Sequence, residues 1–279
     1  MIIFFEKGRL GNQLIQYIGL KNLFPRENLI FFGCESLLKV FKNLNSFFLK
    51  KENISQHTFV LIKRIVFFLV KIRIFGKIEE HRSKNKYKVI AKKGLFWKIF
   101  IVIDFYYNLK DVNKNTSPPL IKSNLIKQAK NWFQLRKINF KDSPIVFVDI
   151  RRGDYINFPS KKFPAVLNLK WYKKAMRLMK TKIKNPIFIL MSDDKYYLED
   201  IFNESKTFHI CDVKPEVKIA IMSLCNYGIL SASTFSWIGS YYSILNNASR
   251  NFFIAPKYWI YHRIKKNHIS FNSDFINYI

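Results

Sequence analysis

Two adjacent arginines, Arg151 and Arg152, are the residues with the most evident chemistry, and they lie in the segment IVFVDIRRGDY, residues 145–155. The apolar, mostly β-branched start of this segment predicts a buried parallel strand, which would present both arginines at its carboxyl end. A guanidinium group binds phosphate oxygens through paired hydrogen bonds, so the segment is suited to clamp a phosphate. A structural ion-pair network with Asp149 and Asp154 explains the same pattern, and the segment alone does not separate the two hypotheses.

Two further polar clusters follow predicted strands in the second half of the chain. Asp193 and Asp194 follow the strand Ile187–Met191, and a hydroxyl-rich turn, Ser231–Thr234, follows the strand Tyr227–Leu230. Ligands of parallel α/β sheets bind at the carboxyl ends of the strands. The hydroxyls are suited to bind phosphate oxygens at a helix start. The two carboxylates are suited to accept hydrogen bonds from a nucleotide base or a sugar. Simple helix capping is the alternative for both clusters.

The N-terminal segment has a comparable arrangement. Ile2–Phe5 predicts a short buried strand, residues 6–13 (EKGRLGNQ) a glycine-containing loop, and residues 14–24 a helix. Glycine lets the backbone approach a ligand closely, and the first amides of the helix would face it. Many structural turns also carry glycine, so this segment is weak evidence for a phosphate site by itself.

The elements that would position these residues alternate between strand and helix from residue 145 to residue 254, which is typical of a parallel, Rossmann-like sheet. The segment NKNTSPP, residues 113–119, has the composition of a linker. We therefore predict an α/β protein with an N-terminal domain over residues 1–130 and a C-terminal domain over residues 131–279. The strongly charged residues 79–93 predict a surface loop.

The formal net charge of +29 over 279 residues indicates an anionic partner, which can be nucleic acid, an anionic membrane face or a phosphorylated substrate. Neither a zinc-finger spacing nor an RNA-recognition signature accompanies the charge, so a nucleic-acid function rests on charge alone. The hydrophobic content of 49% excludes global disorder.

Cysteine usage and hydropathy indicate in which cellular compartment the protein acts. Cys34, Cys211 and Cys225 fit no metal-site spacing and predict free thiols in a reduced, cytoplasmic environment. The apolar start MIIFF is too short for the core of a signal peptide, and no uncharged run is long enough to span a membrane.

Residues 58–75 are dense in Val, Ile and Phe but contain four basic residues. They predict either a buried helix or strand pair with basic ends, or a basic amphipathic helix on an anionic membrane face.

Three blocks of the sequence form a recognisable set: GRLGNQLIQY (Gly8–Tyr17), IRRGDY (Ile150–Tyr155) and SASTFSWIGSYY (Ser231–Tyr242). SDD at 192–194 and APKYW at 255–259 give minor support. Together they resemble glycosyltransferase family 11, the α-1,2-fucosyltransferases. RRGDY followed by STFSW at this separation is a strong signal, whereas residues 42–130 match the family poorly.

The resemblance implies a B-type glycosyltransferase fold of two facing Rossmann-like domains, with the acceptor on the side of the N-terminal domain and the donor nucleotide in the C-terminal domain. It implies transfer of L-fucose from GDP-β-L-fucose with inversion, without a cofactor and without a metal. Carried over by position, Arg151 would neutralise the donor pyrophosphate as GDP leaves, and Asn12 would close on the donor from the N-terminal domain. The other donor-binding residues that the resemblance implies are Arg9, Gly11, Gln13, Arg152, Asp154, Asp193, Asp194, Ser233, Thr234 and Phe235.

Asp149 departs from the family, whose motif begins with His at this position. This carboxylate is either the base that takes the proton of the acceptor hydroxyl or a structural partner of Arg151 or Arg152. With Arg151 and Asn12, it completes the set of candidate catalytic residues. Ala232 and Ile238 replace the Asn and the second Trp of the third block, which leaves the acceptor and the donor sugar open.

The sequence therefore predicts a cytoplasmic fucosyltransferase that forms an α-1,2 bond to galactose in surface polysaccharide synthesis. A lipid-linked acceptor and peripheral contact with the inner face of the cytoplasmic membrane fit the basic N-terminal half, and nucleic acid is not an expected partner. The alternatives are a transferase of the same fold with another nucleotide sugar, a basic nucleic-acid-binding protein, and a catalytically inactive glycan-binding protein.

Overall fold

The computed structural model describes residues 1–83, 86–105, 117–139, 141–247, 251–258, 262 and 273–279. The chain divides into two compact units, Met1–Leu120 and Ile121–Ile279. The predicted domain boundary after residue 130 falls within the helix Ser123–Leu135. This helix belongs to the second unit. Trp259 and most of the predicted linker at 113–119 lie outside the described residues.

The first unit is built on a mostly parallel sheet. Its elements are β1 (Ile2–Phe5), α1 (Leu10–Leu23), β2 (Leu29–Phe32), α2 (Glu35–Val40), β3 (Phe41–Lys42), β4 (Phe47–Leu49), α3 (Gln56–Lys71), β5 (Phe75–Ser83), β6 (Lys86–Lys92) and β7 (Phe96–Asp104). The strand order is β4-β2-β1-β7-β5-β6. All neighbours pair in parallel except β5 and β6, which are antiparallel.

The charged segment 79–93 is not the predicted surface loop, because it forms most of the β5–β6 hairpin. Ile78 is buried against the unit's core, while the lysines of β6 lie on the outermost strand of the sheet. An edge strand with lysines resists pairing with a second sheet, so high charge is compatible with a strand here. Charge alone therefore gave the wrong prediction for this segment.

Two helices of this unit begin differently from the sequence expectation. The chain reverses at Gly8, whose φ of +79° is a conformation that favours glycine, and α1 begins directly afterwards at Leu10. Gly11, Asn12 and Gln13 therefore lie on the first turn of α1 rather than in a loop. The 58–75 segment supplies α3, whose start is capped by Ser55: its side chain accepts a hydrogen bond from the Thr58 N–H at 3.1 Å. Within the described residues, no helix has the length and apolar character needed to cross a membrane.

The second unit has the parallel sheet that the alternation predicts. Its elements are β8 (Leu120–Ile121, at the boundary), α4 (Ser123–Leu135), β9 (Ile145–Ile150), α5 (Leu169–Lys182), β10 (Ile187–Ser192), α6 (Lys195–Ile201), β11 (Phe208–Ile210), α7 (Pro215–Leu224), β12 (Tyr227–Ile229), α8 (Thr234–Asn246), β13 (Phe252–Ala255) and β14 (Ile276–Tyr278). The order is β11-β10-β9-β12-β13-β14, and every pair is parallel. The prediction of a Rossmann-like C-terminal half is confirmed.

β9 is the centre of this sheet, and all of its residues are buried. Val146 and Val148 lie in one core cluster with Tyr172 and Met176 of α5. Phe147 lies against the backbone of Gly228 on β12, where an added Cβ would be 2.3 Å from the ring. Fully burying one such side chain stabilises the fold by about 2–3 kcal/mol. The strand that carries the arginine segment is therefore anchored on both of its faces.

Candidate functional site

The polar clusters of the second unit meet at one edge of its sheet. β9 lies between β10 and β12, so the carboxyl ends of these three parallel strands are neighbours. Each end continues into one of the predicted clusters: residues 151–154 after β9, 193–194 after β10 and 231–234 shortly after β12. The structure therefore brings the predicted C-terminal site residues to a common edge.

Arg151 is held between two carboxylates. Its Nη1 lies 2.8 Å from Asp193 Oδ2, and its Nη2 contacts Asp154 Oδ1. The side chain is 16% exposed, and its Nε is buried without a hydrogen-bond partner among the described residues. Burial lowers the pKa of the guanidinium, but the charges of Asp193 and Asp154 outweigh this effect and raise it above its usual value. The predicted ion pair is confirmed for Asp154, whereas Asp193 takes the place that the prediction gave to Asp149.

Arg152 is fixed by three contacts. Its backbone N–H donates to Asp193 Oδ1 at 2.8 Å, and its Nε lies 3.1 Å from Asp194 Oδ2. Its guanidinium carbon lies 3.5 Å from the centroid of the Tyr197 ring, which is a cation–π contact. Asp194 also caps α6, because its Oδ1 accepts the Tyr197 N–H at 3.1 Å. The capping alternative for Asp194 is confirmed, and both carboxylates hold arginines in place.

Gly153 leaves room for this network. A Cβ at this position would lie 2.4 Å from Asp193 Oδ2, closer than real Cβ contacts come. The missing side chain lets the Asp193 carboxylate approach the Arg152 N–H and the Arg151 guanidinium together. The glycine of RRGD is therefore explained by close approach of a side chain to the backbone.

Asp149 is the penultimate residue of β9 and is 5% exposed. Its Oδ2 accepts a short hydrogen bond from the Ser231 hydroxyl, and Arg151 acts on it as a nearby charge. Burial raises the pKa of the Asp149 carboxyl, and the Ser231 hydrogen bond and the charges of Arg151 and Lys218 offset this only in part. The residue that departs from the family motif thus connects β9 to the hydroxyl-rich turn.

The start of α8 contributes hydroxyls and backbone amides. The Ser233 hydroxyl accepts the Phe235 N–H at 3.2 Å, so Ser233 caps the helix as the alternative prediction had it. A hydroxyl that accepts one bond still carries its own O–H donor. Thr234 and Phe235 are half-buried at the first turn. The positive end of the helix dipole lies here, which favours an anion.

The arginine turn and the α8 turn are also joined directly. The Tyr155 hydroxyl donates to the Ala232 carbonyl at 2.9 Å, which links RRGDY to the STFSW block. The Ser236 hydroxyl donates back to the carbonyl of Ser233 at 3.1 Å. The two most specific sequence blocks therefore form one hydrogen-bonded unit.

The predicted N-terminal residues lie together at the start of α1 in the first unit. Gln13 is buried, and its Nε2 donates to the Gly8 carbonyl at 3.1 Å. The side chain of Asn12 fills the space next to Gly8, where an added Cβ would meet its Nδ2 at 2.3 Å. Arg9 is the residue before the helix and Gly11 is buried within its first turn. These residues shape a helix start with outward backbone amides.

Comparison with known proteins identifies the family. The sequence model of "Glycosyl transferase family 11" matches residues 6–272. The chain belongs to glycosyl transferase family 11. It is 27% identical over 201 residues to the O-antigen biosynthesis glycosyltransferase WbnK of Escherichia coli, a match that covers 68% of this chain and 64% of the relative. It is 33% identical over 120 residues to an α-1,2-colitosyltransferase of Escherichia coli, covering 41% and 40%. The chain thus spans less than two thirds of the length of these curated relatives.

Solved structures show the same fold. POFUT1 in complex with GDP matches with a TM-score of 0.53 at 13% identity, covering 90% of this chain and 97% of that one. The glycosyl transferase family 9 protein from Veillonella parvula matches with a TM-score of 0.56 at 10% identity, covering 91% and 80%. The predicted α/β fold of the B-type glycosyltransferases is confirmed.

Three contacts of this family 11 site were missed by the sequence analysis. Ser231 was part of the hydroxyl turn, but nothing marked it as the partner of Asp149. Tyr197 lies one helical turn after Asp194, and a stacking role has no sequence signal. Lys218 on α7 donates to the Ser192 carbonyl at 2.6 Å from a helix distant in sequence. Such partners depend on the tertiary fold and not on a local pattern.

The cysteines do not form a reactive or metal-binding group in the described residues. Cys34, Cys211 and Cys225 are all buried free thiols, as predicted. Burial raises the pKa of Cys34 and of Cys211 to about 12, so neither is reactive at neutral pH. In the part of the chain that the structure describes, no three His, Cys, Asp or Glu side chains are grouped as metal ligands would be.

Proposed function

We propose that this family 11 protein transfers L-fucose from GDP-β-L-fucose to a hydroxyl of a glycan acceptor, with inversion and without a metal or a cofactor. The observation that carries the proposal is that Arg151 and the start of α8 follow the carboxyl ends of two neighbouring strands, β9 and β12, of a parallel sheet. Cation and helix dipole together suit a diphosphate.

Arg151 supplies the charge on which the departing GDP depends. Of its two carboxylate partners, Asp193 is also bound to the Arg152 amide, whereas Asp154 lies at the more exposed end of the turn. An incoming pyrophosphate would replace Asp154 at Nη2 and leave Asp193 to hold the guanidinium in place. Negative charge that builds on the leaving diphosphate is then stabilised by a group already oriented for it.

Asp149 acts as a positioning residue in this proposal. With 5% exposure and a hydrogen bond from Ser231, it orients the turn that begins α8 rather than taking a proton from an acceptor. Ser233, Thr234 and Phe235 then offer hydroxyls and amides to the phosphates. The start of α1, with Arg9, Gly11, Asn12 and Gln13, is proposed as a second contributor to donor binding.

The relatives' names support a role in surface polysaccharide synthesis and an α-1,2 linkage. We propose galactose as the acceptor sugar, within a lipid-linked glycan, and a place of action at the cytoplasmic side of the membrane. Transfer from another nucleotide sugar is the second candidate, because one relative is named for a different sugar, as an α-1,2-colitosyltransferase.

A donor screen by GDP release tests the proposal. Purified protein is incubated with galactose-terminated acceptors and either GDP-fucose, GDP-mannose or UDP-sugars, and the released nucleotide is measured. Turnover with GDP-fucose alone supports the proposal, and turnover with a different donor would replace it with the second candidate. Release of no nucleotide from any donor, by a protein that is folded by circular dichroism, would contradict transferase activity.

A further inference from the structure

The outer face of α3 in the first unit carries an apolar stripe that the fold does not cover. Leu61, Ile65, Phe68 and Ile72 are spaced at alternating intervals of four and three residues, which places them on one helical face. They are between 47% and 58% exposed, while Phe59 and Val70 on the opposite side are buried in the core of the unit. A surface helix normally turns polar residues outward, so this second apolar face indicates a partner.

Leu95 and the start of β7 extend the apolar surface. The Leu95 N–H donates to the Arg73 carbonyl at 2.8 Å, which places Leu95 beside the end of α3. Leu95 is 76% and Trp97 is 59% exposed. Lys98 lies over the Trp97 ring, with Nζ 4.9 Å from its centroid. Exposed Trp next to a cation is typical of residues that lie at a lipid headgroup boundary.

Basic residues lie along one edge of the stripe. Arg64 and Lys71 are two helical turns apart on the same side of α3, and both are exposed. This edge leads into a cleft of about 550 Å³ beside the end of the helix. Its basic lining residues are Lys71, Arg73, Lys77, Lys92 and Lys93.

Two of the lysines that line the cleft share an acidic partner. Glu79 pairs with Lys77 at 2.6 Å and with Lys92 at 3.5 Å. For Lys71, Arg73 and Lys93, no ion pair is recorded within the described residues. Cations therefore outnumber carboxylates on this surface, as they do in the whole chain, whose formal net charge is +29.

We propose that this surface, α3 with Leu95 and Trp97, binds an anionic lipid bilayer. The apolar stripe enters the boundary between headgroups and acyl chains, and the basic edge and cleft contact the acidic headgroups. Charge favours a bilayer over a second copy of the chain, since a symmetric contact through this face would bring together two surfaces on which cations outnumber carboxylates. The surface lies wholly in the first unit and does not depend on the proposed transferase activity.

Flotation with lipid vesicles tests the proposal without any donor or acceptor. The full chain is mixed with vesicles of phosphatidylcholine alone or of phosphatidylcholine with phosphatidylglycerol. We expect binding to the phosphatidylglycerol vesicles at low salt, weaker binding at high salt, and little binding to phosphatidylcholine alone. Absence of binding to the anionic vesicles, or equal binding to both kinds, would overturn the proposal.

Two double variants separate the stripe from the charge. Leu61→Ser with Phe68→Ser removes apolar contact, and Arg64→Gln with Lys71→Gln removes charge. Each should reduce vesicle affinity about tenfold or more, since binding at a bilayer interface depends both on buried apolar area and on basic residues near the acidic headgroups. Matched controls on α4, Leu135→Ser and Lys127→Gln with Lys130→Gln, also alter exposed residues and should bind as the unaltered chain does.

Folding and association are measured in parallel. Circular dichroism and thermal unfolding must match among all variants used for the comparison. If both α3 variants bind vesicles as tightly as the controls, the surface is assigned wrongly. If the chain is a dimer that Leu61→Ser with Phe68→Ser makes monomeric, and the dimer does not bind vesicles, the stripe is an interface between copies and the proposal fails.

Discussion

Arg151 lies between Asp193 and Asp154, and this geometry determines how it would act on a diphosphate. A flexible arginine would lose side-chain entropy on binding, whereas one already held by a carboxylate loses less. The contact that fixes it depends on Gly153, which leaves room for the Asp193 carboxylate. At the scale of residues, the site is therefore a network in which carboxylates orient cations.

Gly153→Ala tests this orientation. The added methyl would meet Asp193 Oδ2 and push the carboxylate away from Arg151, so kcat/KM for the donor should fall by about tenfold or more. The residue is exposed, so the unfolding temperature should change little. Asn157→Ala, an exposed position just after the same turn, is the control and should retain activity. Full activity of Gly153→Ala would show that the Asp193 contact is dispensable.

Asp149→Asn tests the buried carboxyl through pH. Because burial raises the pKa of Asp149 above its unfolded value, the folded state binds its proton more tightly. Its contribution to stability is therefore present at pH values below the unfolded pKa and is lost as pH rises through the folded pKa. Asn cannot ionise, so the variant should gain stability relative to the unaltered chain as pH rises through this window. Urea unfolding over a pH series measures the difference, and a difference that is constant with pH would contradict it.

At the scale of elements, the site depends on where strands end and helices begin. β9 carries the arginines to the sheet edge because it is buried on both sides, and α8 begins where Ser233 caps it. The same hydroxyl is proposed to contact phosphate. A cap and a ligand contact are separable by a matched pair of variants.

Ser233→Ala and Asn168→Ala form that pair. Both remove an N-cap, since Asn168 Oδ1 accepts the Trp171 N–H at 2.8 Å at the start of α5. Each should lower the free energy of unfolding by about 1 kcal/mol. Only Ser233→Ala should raise the KM for the donor severalfold. Equal donor kinetics in the two variants would limit Ser233 to capping.

The sequence predicted this half well because local signals agreed there. The apolar run of β9 and the hydroxyl turn before α8 each mark one strand or helix end, and parallel topology brings such ends together. The β5–β6 hairpin was missed because its lysines lie on an edge strand that polarity alone does not identify. The Asp149–Ser231 hydrogen bond was missed because it joins residues far apart in the chain.

At the scale of the whole molecule, two α/β units carry different features. The second unit holds the arginine network, and the first holds the α1 start and the basic, apolar surface of α3. The net charge of +29 attracts anions to both and should speed the encounter with a charged donor. The proposed sugar transfer and the proposed membrane contact can therefore be tested independently.

Chelation tests the source of the positive charge at the donor. If Arg151 and the α8 helix start stabilise the leaving diphosphate, turnover should be the same with EDTA as with added Mg²⁺ or Mn²⁺. The measurement is GDP release at matched ionic strength. Loss of turnover with EDTA that Mg²⁺ restores would assign this charge to a metal ion.

The most direct test of the proposed donor site is calorimetric titration of GDP into the unaltered chain, Arg151→Ala and Arg177→Ala. Arg177 is exposed on α5 in the same unit and controls for the loss of one positive charge. We predict that Arg151→Ala weakens GDP binding by about tenfold to a hundredfold, since hydrogen bonds to charged groups contribute about 1.5–3 kcal/mol, while Arg177→Ala binds as the unaltered chain does. Equal GDP affinity in all three proteins would contradict the assignment of Arg151 to the donor diphosphate.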